Sequence, residues 1–312
     1  MKRSAFFLYG VVGHLGFLAT YAILAAFVGN LVPAVSMDSR SSSGSLPLAV
    51  AVNLGLILLF GLQHSIMARP AFKAVWTKII PPPIERSTYV VVSCCVTLLL
   101  IWQWKSIDAV MWDVQHPAGR VLLQGLFLVG WVMVPVVSLM INHFDLFGTR
   151  QVWLHLLGRD YESLPFRTPS LYGRIRHPLY VGWTIAFWAT PTMTLGHLLF
   201  AIGMTVYMLI AVVFEERDLI AHFGHQYNEY RRRVPMFVPR LASPYSPLPE
   251  AGPVTEDSLG NSIKVPLTTA KVGLPRVSNL GAVPPAVDGI SFGASGRAGF
   301  HPADPGDRKT AG

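Results

Sequence analysis

Charge and cysteine are both scarce in this chain. Of its 312 residues only 13% are Asp, Glu, Lys or Arg, about half the share usual in a soluble domain. Hydrophobic residues make up 52%, and the mean hydropathy is +0.44. So few charges cannot cover the surface of a soluble fold, and the composition describes an integral membrane protein. Cysteine is limited to the adjacent pair Cys94 and Cys95 inside an apolar run. That placement excludes a disulfide framework and a thiolate metal site, leaving two small buried hydrophobes as the expectation. No metal site is expected elsewhere, and no internal repeat is visible.

The net charge of +8 does not imply nucleic acid, because the arginines lie in loops beside apolar runs, where the lipid bilayer orients a membrane protein. Runs long enough to cross a bilayer occupy about residues 6–32, 46–67, 88–104 and 121–141. The first follows Lys2 and Arg3. It is about twice the length of a signal-peptide core and lacks a small-residue cleavage site, so it is read as a span. A fifth apolar stretch, residues 179–214, is interrupted by "TPTMTLGH" and predicts two helices joined by a tight turn.

The fold class expected is therefore all-α, a polytopic transmembrane helical bundle of six spans, or five as the nearest alternative count, ending in a helical hairpin. Lys2 and Arg3, then Arg69, Lys73, Lys78 and Arg86, then Arg150, Arg159, Arg167, Arg174 and Arg176, and finally Arg217 and Arg231 to Arg233 fall in alternate segments. Six spans with both termini cytoplasmic would place all of these on one side. From residue 241 to 312 the chain is rich in Pro, Gly, Ser and Ala. It is expected to be a disordered tail outside a membrane domain of residues 1–240.

Three constellations could carry chemistry. In "RIRHPLY", Pro178 suits the first turn of a helix, which sets Arg176 and His177 at a helix start, with Tyr180 on the same face as His177. In "FEERDLIAHFGHQYNEYRRRVP", Glu215 and Glu216 sit where the last apolar run ends, and a carboxylate pair there opposes the helix dipole. A hairpin would bring the two clusters together, with a structural ion pair as the simplest outcome. Leu219, Phe223, Tyr227 and Tyr230 then recur at helical spacing and predict an amphipathic cytoplasmic helix lying on a surface. The third constellation, "NHFDLFGTRQVW" over residues 142–153, could close the same pocket.

"RHPLYVGW", an apolar hairpin and "EERDLIAHFGHQYNEYRRRVP" together resemble the signature of the membrane methyltransferases related to isoprenylcysteine carboxyl methyltransferase and bacterial phospholipid methyltransferases. With "NHFDLFGTRQVW", "PFRTPSLYGRIRHPLY" and "AFWATPTMTLGHLLFAIGM", the likeness narrows to bacterial methanethiol S-methyltransferases, which make dimethyl sulfide using S-adenosyl-L-methionine. The resemblance implies a protein of the bacterial inner membrane that takes a small thiol. It implies that His177, Leu179, Tyr180, Glu215 and Glu216, with Arg176, line the cofactor cleft, and that Tyr227, Tyr230 and Arg231 cap it. No glycine-rich loop follows a predicted strand, which argues against the soluble type of methyltransferase fold.

Thiol methylation also needs a proton acceptor or an electropositive niche, because the thiolate is the nucleophile. His177, His64 and His143 are the candidates. Two alternatives remain open. One is the same fold acting on a phospholipid or an isoprenylcysteine carboxylate. The other is a haem-handling or transport protein of the type accessory to nitrite and nitric oxide reductases. For the second, His14 and His64 are the ligand candidates, expected near opposite ends of the bilayer.

Overall fold

A computed structural model describes residues 2–38, 45–239 and Tyr245; the expected tail, Tyr245 apart, lies outside the described residues. In chain order the helices are α1 (Lys2–Val28), α2 (Leu46–Ala68), the short α3 (Pro70–Trp76), α4 (Glu85–Gln103), α5 (Pro117–Ile141), α6 (His143–Leu146), α7 (Thr149–Leu156), α8 (Pro178–Trp188), α9 (Leu195–Phe223) and α10 (His225–Arg233). Among the described residues, α1, α2, α4, α5 and α9 are long and apolar enough to cross a membrane. Leucines that stand exposed along them, among them Leu15, Leu58, Leu122 and Leu139, present the apolar exterior that a lipid-facing bundle requires.

The count of six full spans is corrected to five. Helix α8 has 11 residues, about 16 Å of rise against about 30 Å of hydrocarbon. Pro191 sets its limit, since proline disfavours helical geometry at the residue before it, and the last helical turn closes with Ala189 N donating to Ile185 O at 3.0 Å. The predicted hairpin nevertheless forms. Beyond α8 the chain enters β2 (Thr192–Thr194), which pairs antiparallel with β1 (Val110–Asp113) in the α4–α5 connection. At that end Arg120 Nη1 donates to Asp113 at 3.1 Å, which offsets a cation on the side away from the basic loops. Thr194 then caps α9, its hydroxyl accepting from His197 N at 3.0 Å.

Helix α9 has 29 residues, more than a bilayer needs. Counted from Leu195 at about 1.5 Å per residue, about 30 Å is reached near Glu215. The glutamate pair therefore stands at the far boundary of the apolar zone, and the last turns of α9 project beyond it.

The expected single amphipathic helix is also corrected. Gly224, with φ of 53°, breaks it in a backbone region that favours glycine. Leu219 and Phe223 thus end α9, while Tyr227 and Tyr230 belong to α10. Nor does the stripe lie on a surface, for Tyr227 and Tyr230 are buried and cluster with Phe166, Leu219 and Phe223. The cysteines depart from expectation too, with Cys94 half-buried and Cys95 exposed.

Close helix approach holds the hairpin to the bundle. A Cβ on Gly130 of α5 would stand 2.5 Å from Ala186 N and 2.9 Å from Gly182 O of α8, so small residues let these two backbones meet. Gly130→Ala is expected to destabilise the fold by about 1–3 kcal/mol, read as a lower midpoint of thermal unfolding. Gly125→Ala, whose added Cβ meets nothing within 4 Å, should not lower that midpoint, since alanine is the better helix former.

Candidate functional site

Three segments build the basic end of the α8–α9 hairpin. Arg176 and His177 precede α8, Glu215 and Glu216 lie on α9, and the segment after α10 returns to pin the first pair. Arg176 N donates to Pro235 O at 2.9 Å and His177 N to Met236 O at 3.2 Å. The side chains then converge on one carboxylate. Arg176 Nε donates to Glu216 Oε1 at 2.7 Å, His177 Nε2 lies 3.0 Å from the same oxygen, and Arg231 Nη1 lies 3.8 Å from Glu216 Oε2. Arg176 Nη1 also donates to the carbonyls of Val234 and Arg231 at 2.6 and 3.0 Å. These groups offset the burial of the Glu216 charge; the expected opposition from the helix dipole is not met, because α9 runs about two turns further, to Phe223.

Glu215 faces the other way. Its Oε2 accepts from Tyr180 Oη at 2.8 Å, and its Oε1 lies 4.0 Å from His177 Nδ1. His177 is thus set between two carboxylates.

Two cavities meet at this junction. The outer one, about 150 Å³, is walled by Phe166, Leu219, Phe223, Tyr227 and Tyr230 and by Asn142. The inner one, about 300 Å³, reaches into the bundle and is largely apolar, lined among others by Tyr21, Leu179, Tyr180, Trp183 and Phe187, with His64, Tyr89, Ser93 and His143 as polar points. Ile141, Tyr172, Arg176, His177 and Glu215 line both. Burial pushes the Tyr227, Tyr230 and Tyr172 phenols up, with the neighbouring Glu216 or Glu215 carboxylates adding to this, so all three are neutral hydrogen-bonding groups.

The structure therefore brings together Arg176, His177, Tyr180, Glu215, Glu216, Tyr227 and Tyr230. Leu179 lies on the inner wall, and Arg231, about half exposed, sits at the rim. The third constellation contributes as well. Asn142 lines the outer cavity, and His143, Leu146 and Phe147 line the inner one, but Trp153 is exposed. Beside them, burial raises the Asp145 carboxyl, while Arg150 Nη1 at 2.9 Å and Tyr161 Oη at 3.2 Å favour its ionised form. Burial, then His14, lowers the His143 imidazole.

His14 and His64 are not at opposite ends of the bundle. His14 Nε2 lies 3.3 Å from His143 Nε2, and His64 lines the same inner cavity as His143. His64 is engaged by Tyr89 and Ser93 instead, so the two histidines do not form the facing pair that the haem-handling alternative requires.

Sequence reasoning missed Phe166, Tyr172, Tyr89 and Ser138. Phe166 and Tyr172 fall within "PFRTPSLYG", a stretch whose prolines deny it a helical period. Tyr89 lies one turn after Arg86, and the Arg86 guanidinium carbon is 5.0 Å from its ring centroid. That spacing of an arginine and a tyrosine at the start of a span was the available signal.

A methanethiol S-methyltransferase of Mycobacterium tuberculosis is 49% identical to the chain over 239 residues, which are 77% of this chain and 98% of that protein. A methanethiol S-methyltransferase of Crocosphaera subtropica is 46% identical over 239 residues, 77% of this chain and 93% of that protein. Nurim of Sus scrofa is 30% identical over 184 residues, 56% of this chain and 70% of that protein. No family model matches the chain, and no solved structure does. Near-half identity across almost the full length of such proteins, on a bundle of membrane-spanning helices, makes this chain a member of the methanethiol S-methyltransferase family.

Proposed function

We propose that the protein transfers a methyl group from S-adenosyl-L-methionine to methanethiol, forming dimethyl sulfide at the membrane. The observation that carries this reading is the shared wall. A polar, aromatic-lined outer cavity and an apolar inner cavity meet at Arg176, His177 and Glu215, so a charged donor and a small apolar acceptor can be held in contact there.

The residues of the outer cavity fit the donor. Its ammonium and ribose hydroxyls suit Glu215, its carboxylate suits Arg176 with the helix start behind it, and its adenine and sulfonium suit the rings of Phe166, Tyr227 and Tyr230, while Glu216, outside the lining, holds Arg176 and His177 in place. When bound, the donor supplies an electrophilic methyl group on a sulfonium. Methyl transfer is an in-line displacement in which positioning counts most. His177, fixed by Glu216 and by Met236 O, would orient the donor, while Tyr180 and Leu179 would face the acceptor.

The basic loops and the outer cavity would lie on the cytoplasmic side of a bacterial inner membrane, where a soluble charged donor is available, and the inner cavity would receive a thiol partitioned in lipid. Residues 1–240 would carry the whole activity. The Mycobacterium tuberculosis relative supports this, since the 239 matched residues already cover 98% of it.

Two experiments test the reading. Membranes containing the protein, given methyl-labelled S-adenosyl-L-methionine with methanethiol or with phospholipid alone, should place the label in dimethyl sulfide. A chain ending after Arg240 should do the same, and label in lipid would contradict the acceptor. In the second, His177→Ala and Glu216→Gln should each weaken donor binding, measured by calorimetry on purified protein, by about tenfold or more, the scale of a lost charge-assisted hydrogen bond. Normal affinity in both variants would mean the donor binds elsewhere.

A further inference from the structure

The inner cavity carries two histidine arrangements, and hydrogen-bond accounting separates them. On one wall Ser93 Oγ donates to Tyr89 O at 2.9 Å. Its single hydrogen is used there, so it accepts from His64 Nδ1 at 3.3 Å. Assigned from this network, the proton of neutral His64 sits on Nδ1 and leaves Nε2 bare. That nitrogen faces Tyr89 Oη at 2.8 Å, and so receives the phenol hydrogen. Tyr89 Oη keeps lone pairs for another donor in the cavity that both residues line. Phe60, stacked on the imidazole at 5.3 Å between centroids, holds its orientation.

On the facing wall Ser138 Oγ donates to Pro135 O at 2.8 Å and therefore accepts from His143 Nδ1 at 2.7 Å. The bare Nε2 of His143 is met by His14 Nε2 at 3.3 Å. With the proton of His14 assigned to Nε2, the donor this contact requires, that lone pair is occupied and His143 has no acceptor site for a substrate proton.

We propose that Tyr89 and His64 form the relay that takes the proton of the acceptor thiol, an assignment that rests on the thiol methyltransferase reading above. The thiol S–H donates to Tyr89 Oη. As that S–H bond breaks, its proton joins Oη and the original phenol hydrogen passes to Nε2 of His64. The electron pair stays on the thiol sulfur as the nucleophile, and the positive charge resides on the imidazolium. One anion and one cation arise from two neutral groups, and the imidazolium returns its proton to solvent after methyl transfer. Tyr89 touches the substrate; His64 acts through it.

Tyr89→Phe removes one oxygen and little volume. In the full-length purified protein it is expected to lower kcat on methanethiol by about 100-fold or more, the usual scale of general-base assistance. Donor binding without thiol should stay within about twofold of wild type, since the residue lies away from the outer cavity. The loss should fall below about tenfold on thiols already largely ionised at the assay pH, because these need no base. Hydrosulfide and 2,2,2-trifluoroethanethiol serve as such acceptors. The inner cavity, about 300 Å³, is roomy enough for either, given that about 150 Å³ accepts benzene. His64→Gln should repeat the pattern and His143→Gln should not. A kcat on methanethiol within about twofold of wild type in Tyr89→Phe, or equal losses on the ionised and un-ionised thiols, overturns the relay. A wild-type protein that methylates no thiol overturns instead the reading on which the relay rests.

Discussion

Glu216 stands at the boundary of the apolar zone with its side chain only 9% exposed, where an unmatched charge is costly. Arg176 and His177, from the start of α8, and Arg231, from α10, surround it. Removing one member of a buried ion pair costs about 3–5 kcal/mol because the other charge is left unmatched. The start of α8, helix α9 and helix α10 are therefore tied by the same carboxylate, and Arg176 binds the segment after α10 through Val234 O and Pro235 O. Tyr230 Oη, donating to Tyr172 O at 2.7 Å, adds a fourth segment to the assembly. The outer cavity exists because these segments are held around it.

The same tie sets the boundary between two environments. One side of His177 faces Glu216 and the aromatic outer wall, the other faces Tyr180 and the apolar interior. Polar and ionisable groups at membrane depth are costly unless satisfied, and they mark the path of a substrate. Here they are satisfied in pairs: Tyr180 with Glu215, His64 with Tyr89, His143 with Ser138. A thiol arriving from lipid would meet these groups already bonded and oriented, which limits the reorganisation that charge movement requires.

Much of this was legible in the residues. Four apolar runs became α1, α2, α4 and α5 within a few residues of their expected ends, and two polar clusters bracketing an apolar stretch foretold the contact of Arg176 and His177 with Glu216. The turn at "TPTMTLGH" was legible, but the helix before it was counted as a span although its 11 residues are too few to cross a bilayer. The aromatic stripe at Leu219, Phe223, Tyr227 and Tyr230 was periodic, but a period cannot tell a lipid-facing side from one packed on another segment. Gly224 was the visible sign of the break. Tyr89 and His64 are 25 residues apart on different helices, and only the packing of α2 against α4 joins them.

The central claim is that the donor binds between Glu215 and the aromatic wall formed by Phe166, Tyr227 and Tyr230. Ultraviolet photolabelling of the purified protein with methyl-labelled S-adenosyl-L-methionine, followed by peptide mapping, tests this most directly. Label confined to peptides spanning residues 164–180 and 215–237 is the expected result. Label on α2 or α4 with none on those peptides would contradict it.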